Sequence, residues 1–174
     1  VINNGLLQAG QQWGADHAPE IDPNSIDVIT VVKSSDALAY GSQAIGGAVV
    51  VESGRIPDDP HLNGAVGYAF RSNGRGHTLT GRLQRSSGQH RWRITGSFQR
   101  AGDMRTPDYF LTNSGARTAG ASLQWQYSPS LTTEHRLLYT LFDNHAGIFT
   151  GAHIGNLTDL AEAIGRDMPF RISD

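Results

Sequence analysis

The sequence contains no cysteine among its 174 residues, which excludes disulfide bridges and thiolate metal sites. The charges of the two signs nearly balance, with 14 lysines and arginines and 16 aspartates and glutamates. Bulk charge therefore implies neither nucleic acid nor an anionic membrane surface as a partner. No apolar run approaches the roughly 20 residues that a membrane-spanning helix requires. A membrane-spanning β-barrel is left open, because its signature is alternation of apolar and polar residues.

Glycine is abundant, with 21 residues, and threonine, serine, glutamine and arginine are frequent. This composition favours an all-β protein with many turns. From His61 onward apolar and polar residues alternate, which predicts five strands near 62–71, 77–84, 91–99, 119–127 and 134–143. The turns between them are predicted at Asn73 and Gly74, at 86–88, in a longer loop over 102–115, and at 128–130. The third strand alternates most cleanly, and its polar side, which carries Arg91 and Arg93, suits a wet lumen better than a dry core, whereas the two sides of the fifth strand are less distinct.

The segment from Thr30 to Glu52 has the most distinctive local pattern. A β-branched run ends at Val32, and Ser34, Ser35 and Asp36 predict the start of a short helical turn by capping its first N–H groups. Glycines at 41, 46 and 47 then precede a second apolar run, 48–51. Asn3, Asn4 and Gly5 form a hairpin turn signal near the start of the chain. The proline-containing stretch 53–60 predicts a linker.

This segment resembles the end of the plug domain of TonB-dependent outer-membrane receptors. The pattern departs from the family at Thr30, at Ser34 with Ser35, and at Val50. The matching residues, in order, are Ile26, Ile29, Val31, Lys33, Leu38, Tyr40, Gly41, Ser42, Ala44, Ile45, Gly46, Gly47, Val49 and Val51.

The resemblance implies a fragment of a longer receptor, with residues 1–56 as the C-terminal half of the plug and 57–174 as the first strands of a barrel. The expected fold is all-β, a partial antiparallel transmembrane barrel of the 22-stranded plugged type, with a small α+β plug portion. A signal peptide and a TonB box are expected outside this chain. The family implies a transporter in the outer membrane and not an enzyme. Its expected partners are a TonB-type periplasmic energy-coupling protein, outer-membrane lipid, and a metal ion or metal chelate as cargo.

A second resemblance concerns two loops of a branch of this family that includes metal-uptake members. The first is a loop of the G-x-D-H type, matched by Gly14, Asp16, His17 and Asp22; the second is the stretch 147–164, expected to be extracellular and to hold a short helix opened by Thr158 and Asp159. The resemblance implies that this first loop faces the outside and contacts the ligand. The candidate substrate-binding residues are Trp13, Asp16, His17, Glu20 and His153.

Asp16 and His17 are the candidate metal ligands, because a carboxylate and an imidazole suit Zn²⁺ or a similar divalent ion. Two ligands are too few, so His145, His153 and Asp159 are the candidates to complete the set. Alternatively, Asp16 and His17 hydrogen-bond the loop backbone and hold its shape. No nucleophile, acid–base pair or cofactor motif is present, and no cofactor is predicted.

Two other functions are weighed beside the receptor. A soluble β-sandwich, for example a carbohydrate-binding module, would leave the arginine-bearing strand faces in bulk solvent. A metal-dependent hydrolase would use Asp16, His17 and distant histidines with one open coordination position. Neither explains the segment from Thr30 to Glu52.

Overall fold

The computed structural model of the chain describes residues 2–4, 6–7, 21–41, 44, 46–147 and 155–166. These residues form mainly antiparallel β-sheet, as the alternation of the sequence predicts. The strands belong to a four-stranded sheet, a five-stranded sheet and a two-stranded hairpin. We call the first two the small sheet and the large sheet.

The small sheet has the strand order β2-β1-β4-β3. Its strands are β1 (Ile2–Asn3), β2 (Leu6–Leu7), β3 (Val28–Lys33) and β4 (Gly47–Glu52). β1 and β2 pair antiparallel around Asn4, whose φ of 48° fits the predicted turn. β1 runs parallel to β4, and β3 runs antiparallel to it. Ala37, Ala48 and Val50 form a small core, against which Val32 and Ala44 pack.

A 3-10 turn, Ser34–Tyr40, connects β3 to β4, as the segment around Thr30–Glu52 predicts. The capping prediction was wrong in detail. The N-cap residue is Lys33, which makes no side-chain capping bond, so Ser34 and Ser35 lie inside the first turn. Gly41 ends the turn with φ 125°, and Gly47 opens β4 with φ 135°. A Cβ on Gly47 would meet the carbonyl oxygen of Val32 at 2.9 Å, which explains the need for glycine there.

The large sheet is antiparallel throughout, with the strand order β11-β10-β7-β6-β5. All five strands predicted by alternation are present. Their bounds are β5 (Asn63–Arg71), β6 (Gly76–Ser87), β7 (His90–Ala101), β10 (Ala116–Ser130) and β11 (Thr133–Ala146). β5 and β11 are the two edges of this sheet.

Two details of the large sheet differ from the predictions. β10 continues through Pro129, so the turn lies at 131–132 and not at 128–130. The register between β10 and β11 shifts between Tyr127 and Ser130, and such an irregularity tolerates a proline that cannot donate to the ladder. The loop over 102–115 contains a short hairpin, β8 (Met104–Arg105) with β9 (Phe110–Leu111), which was not predicted.

The helix α1 (Leu157–Ile164) is present in the predicted second loop and stops at Gly165. Asn156, not Thr158, opens it, because the Asn156 side chain accepts a hydrogen bond from the Asp159 N–H. None of the helices in the described part of the chain has the length and apolar character needed to cross a membrane.

Candidate functional site at the interface of the two sheets

The large sheet has two chemically opposite faces. One face, which we call the apolar face, carries large hydrophobic side chains that remain exposed, among them Val66 at 83% and Leu141 at 55%. The other, the polar face, carries polar side chains that are buried on the three central strands, including Arg93 at 5% and Gln126 at 1% exposure. This is the reverse of a water-soluble sheet, in which the apolar side is covered and the polar side is hydrated.

The polar face is covered by two segments that flank strands of the small sheet: residues 21–27, which precede β3, and residues 53–62, which join β4 to β5 and contain no helix or strand. Asp22 stands at the first contact. Its carboxylate accepts a 2.6 Å hydrogen bond from the Ser97 hydroxyl and also accepts from the Asn24 N–H at 2.9 Å. Gly120 lies directly beneath that carboxylate, and a Cβ at this position would collide with it. Asp22 thus caps the 3-10 turn Pro23–Ser25 and also links this segment to the large sheet.

Arg93 is the central side chain of the interface. Its Nε donates to the Gln84 side chain at 2.9 Å, while its terminal nitrogens donate to the backbone carbonyls of Gly54 (2.9 Å) and Arg55 (3.2 Å). One of those nitrogens also pairs with Asp27 at 2.7 Å. One guanidinium therefore binds the residue before β3 and the segment after β4 at once, and its buried charge is paired with a carboxylate and hydrogen-bonded to carbonyls.

Asp27 is the partner that joins two arginines of the large sheet. Its Oδ1 lies 2.7 Å from Arg82, and its Oδ2 lies 2.7 Å from Arg93 and accepts from the Gly54 N–H at 2.8 Å. Partial burial by itself would raise the pKa of this carboxyl. The hydrogen bond and charge of Arg82, the charge of Arg93 and the Gly54 N–H outweigh burial and hold the Asp27 pKa below its ordinary value. We call Asp27, Arg82 and Arg93 the clamp.

A second ion pair holds the connecting segment at the other end of the polar face. Asp58 accepts from the Ser86 hydroxyl at 2.8 Å and lies 3.3 Å from Arg91. These hydrogen bonds, from Ser86 first and Arg91 second, lower the Asp58 pKa. Beside them, both amide atoms of Gln126 and the Nε of Arg91 are buried and find no hydrogen-bond partner among the described residues. Polar atoms of this kind are usually satisfied by ordered water, so this end of the interface suits bound water.

The predicted ligand site falls largely outside the described residues. Trp13, Asp16, His17, Glu20 and His153 all lie there, so their roles as substrate or metal ligands stay predictions.

The two other candidate metal ligands are described and have other partners. His145 lies 3.4 Å from the carboxylate of Asp143 on the same strand. Asp159 accepts from the Gly155 N–H at 3.1 Å at the start of α1. Within the described ranges, no group of three or more histidines and acids could hold a metal ion.

Sequence reasoning identified the arginines of the polar face but missed their acidic partners. Asp27 is 66 positions from Arg93, so no local spacing indicates the pair. A search for opposite charges could have found the pair, because several arginines on one strand face require carboxylates or water as partners. Asp22, Asp27 and Asp58, in the N-terminal third of the chain, are acids that such a search would have considered.

No protein-family model matches this chain, and no curated protein shows significant similarity to it.

Proposed function

We propose that this chain is part of a TonB-dependent outer-membrane receptor that takes up a metal ion or a metal chelate, such as an iron–siderophore complex, haem or zinc. In this proposal the small sheet belongs to the plug, and the large sheet supplies the first five strands of a 22-stranded barrel. A TonB-type periplasmic protein would couple energy to transport.

The observation that carries the proposal is the inverted amphipathicity of the large sheet. Exposed apolar patches of this size on a water-soluble protein mark an interaction surface or an aggregation hazard. In a membrane barrel the same arrangement is required, because the outward side faces lipid and the inward side is polar. The polar face of the large sheet is the side that the small sheet covers, as a plug inside a barrel would.

The height of the apolar face fits a bilayer. His90 and Arg100 mark its polar limits along β7. The ten residue-to-residue steps between them, at about 3.4 Å rise and inclined by about 40° as in outer-membrane barrels, span about 26 Å. The apolar band of such barrels is about 25 Å tall.

Aromatic rings line the His90 end of this band. His90, Trp125, Tyr127 and His135 form a row of nearly parallel rings across three strands, with neighbouring centroids 4.7–6.1 Å apart. Aromatic residues with polar atoms favour the membrane–water interface. Two-residue connections, 88–89 and 131–132, lie at this same end, which the proposal assigns to the periplasmic side.

The covering of the polar face argues against the soluble sandwich. That alternative requires the arginine-bearing side in bulk solvent, whereas the Arg93 side chain is 6% exposed beneath the small sheet. The hydrolase alternative depends on Asp16 and His17, which lie outside the described residues.

The polar interface also suits a plug that is displaced during transport. Ion pairs and hydrogen bonds join the two sheets through Asp22, Asp27 and Asp58. Separation of the sheets would expose arginine and glutamine side chains, which water solvates well. A pulling force therefore has to break these polar contacts and release Ile56, the one large apolar side chain of the connecting segment that is 1% exposed.

The absence of cysteine permits a direct test by single-cysteine labelling in outer-membrane fractions. Leu83→Cys and Leu141→Cys place the thiol on the apolar face, and Thr80→Cys and Thr140→Cys are matched controls on the polar face, outside the contacts with Asp22, Asp27 and Asp58. We expect the first pair to resist water-soluble maleimide and to be quenched by lipid-borne quenchers, unlike the controls. Equal labelling of all four, with the protein in the soluble fraction, would refute the receptor proposal.

A further inference from the structure

The polar face of the large sheet carries several arginines and almost no acid of its own. The arginines on this face are Arg71, Arg82, Arg91, Arg93 and Arg136. Glu134, which pairs with Arg136, is the one acid that the described strands of the large sheet place there. The carboxylates that neutralise the central arginines belong to the covering segments, through Asp27 and Asp58. Removal of those segments would leave a positively charged strand face, which attracts anions and repels cations.

Arg82 and Arg93 already bind one carboxylate, that of Asp27. Each arginine pairs with one of its two oxygens at 2.7 Å, and the Gly54 N–H donates to Oδ2 at 2.8 Å. Charge-assisted hydrogen bonds from guanidinium groups are among the strongest that side chains offer to a carboxylate. The two arginines therefore form a carboxylate site, which a side chain of the same chain fills.

The large sheet itself positions Arg93 in this site. The Nε of Arg93 donates to the Gln84 side chain at 2.9 Å, and one terminal nitrogen donates to the Gln124 side chain at 3.5 Å. Gln84 and Gln124 lie directly opposite Arg93 on the two neighbouring strands. Departure of the covering segments would thus leave an oriented guanidinium that has lost its carboxylate partner. A charge in such a place is stabilised by a new anion.

We propose that Arg82 and Arg93 bind a carboxylate of the transported cargo once the segment that holds Asp27 has moved. Asp27 is then an internal competitor, which fills the site until the cargo replaces it. The cargo that fits is an anionic metal chelate with free carboxylates, because the arginines would repel a bare Zn²⁺ ion. The role in transport rests on the proposed receptor function, whereas the carboxylate site does not.

The test is chemical rescue of Asp27→Ala in the full chain, followed by urea unfolding. This substitution removes the internal carboxylate and leaves space for formate. Sodium formate should raise the urea midpoint of the variant relative to sodium chloride at the same ionic strength, since a ligand that binds only the folded state stabilises it. Asp27→Ala/Arg93→Gln should lose this shift. Asp27→Ala/Arg100→Gln is the matched control and should keep it, because Arg100 is exposed on the apolar side of the same strand.

A second variant keeps the inference testable if Asp27→Ala does not fold. Asp27→Asn retains the shape of the aspartate but has no charge that competes for the arginines. Citrate should therefore bind this variant about tenfold or more tightly than the unmodified protein in calorimetry, and an added Arg82→Gln should remove the gain. Equal citrate binding by Asp27→Asn and the unmodified protein overturns the inference. So does a formate shift that chloride reproduces or that survives Arg93→Gln.

Cysteine labelling of the same preparation separates this inference from the proposed function. If Leu83→Cys and Leu141→Cys are shielded by lipid but formate has no effect on Asp27→Ala, the membrane location stands and the carboxylate site fails. If formate rescues Asp27→Ala but both cysteines react freely, the carboxylate site stands and its role in cargo transport fails.

Discussion

Replacement of Asp27 by asparagine tests whether the clamp holds the two sheets together. The asparagine side chain would keep the shape of the aspartate but lose the charge that pairs with Arg82 and Arg93, each 2.7 Å away. Breaking a fully buried ion pair costs about 3–5 kcal/mol, whereas an exposed pair contributes about 0–1 kcal/mol.

The expected magnitude follows from the exposure of the three side chains. The Arg93 side chain is 6% exposed, but the side chains of Asp27 and Arg82 are 24% and 33% exposed, so solvent screens part of the ion-pair interaction. After substitution, the carbonyls of Gly54 and Arg55 still accept from Arg93. We therefore expect the free energy of unfolding to fall by about 1–3 kcal/mol.

The assay is urea unfolding of the full chain in lipid bilayers, followed by tryptophan fluorescence. Asp36→Asn is the matched control, because it makes the same charge change at an exposed position beside the small sheet. It should change stability by less than about 0.5 kcal/mol. A double-mutant cycle with Arg93→Gln should give a coupling energy of about 1 kcal/mol or more, and a coupling of zero would refute the clamp.

The pH dependence gives an independent check with a definite sign. The pKa of Asp27 is lowered in the folded protein, so its carboxylate contributes stability above its unfolded pKa of about 3.9. That contribution is lost as pH falls through the lower, folded pKa. The stability difference between the unmodified protein and Asp27→Asn should therefore be full at pH 7 and shrink below about pH 4. A difference that stays constant down to pH 3 would contradict the assignment.

Two further substitutions test the packing of the sheets and the cargo. Gly120→Ala should destabilise the protein by about 1–3 kcal/mol in the same urea assay, since its Cβ would collide with the Asp22 carboxylate, whereas Gly96→Ala, with open space around it, should not. Asp16→Ala/His17→Ala should abolish Zn²⁺ binding measured by calorimetry if those residues ligate zinc. Unchanged binding of a ferric chelate in that double variant would show that the two side chains serve only the loop.

Alternation predicted the large sheet well because each strand has one purely local signal, the change of polarity at every residue. β7 is the clearest example, with Ile94 and Phe98 on one side and Arg93 and Thr95 on the other. The turn predicted around Pro129 was wrong, because a proline is tolerated in a strand where the hydrogen-bond register with the next strand is irregular. That register depends on both β10 and β11, so the sequence of β10 alone does not reveal it.

The interface could not be predicted in the same way. Ser97 and Asp22 are 75 positions apart, and the pairing of Asp27 with Arg93 depends on how the small sheet lies on the large one. Local sequence patterns indicate only that the arginines need carboxylate or hydrogen-bonding partners. Which acids supply them is decided by the fold.

The two faces of the large sheet together determine what environment the protein requires. The apolar face is stabilised by any cover that removes it from water, and the polar face by water or by a polar covering such as the segments beside the small sheet. In the proposed receptor, lipid is that cover, and Arg100 and the row of rings around Tyr127 mark the two ends of the apolar band. If lipid covers the apolar face, the clamp becomes the part of the structure that can open in water. In the proposed receptor, the ion pairs of Asp27 with Arg82 and Arg93 would then resist displacement of the plug, and Asp27→Asn is expected to increase the leakage of a small fluorescent dye from vesicles that contain the protein.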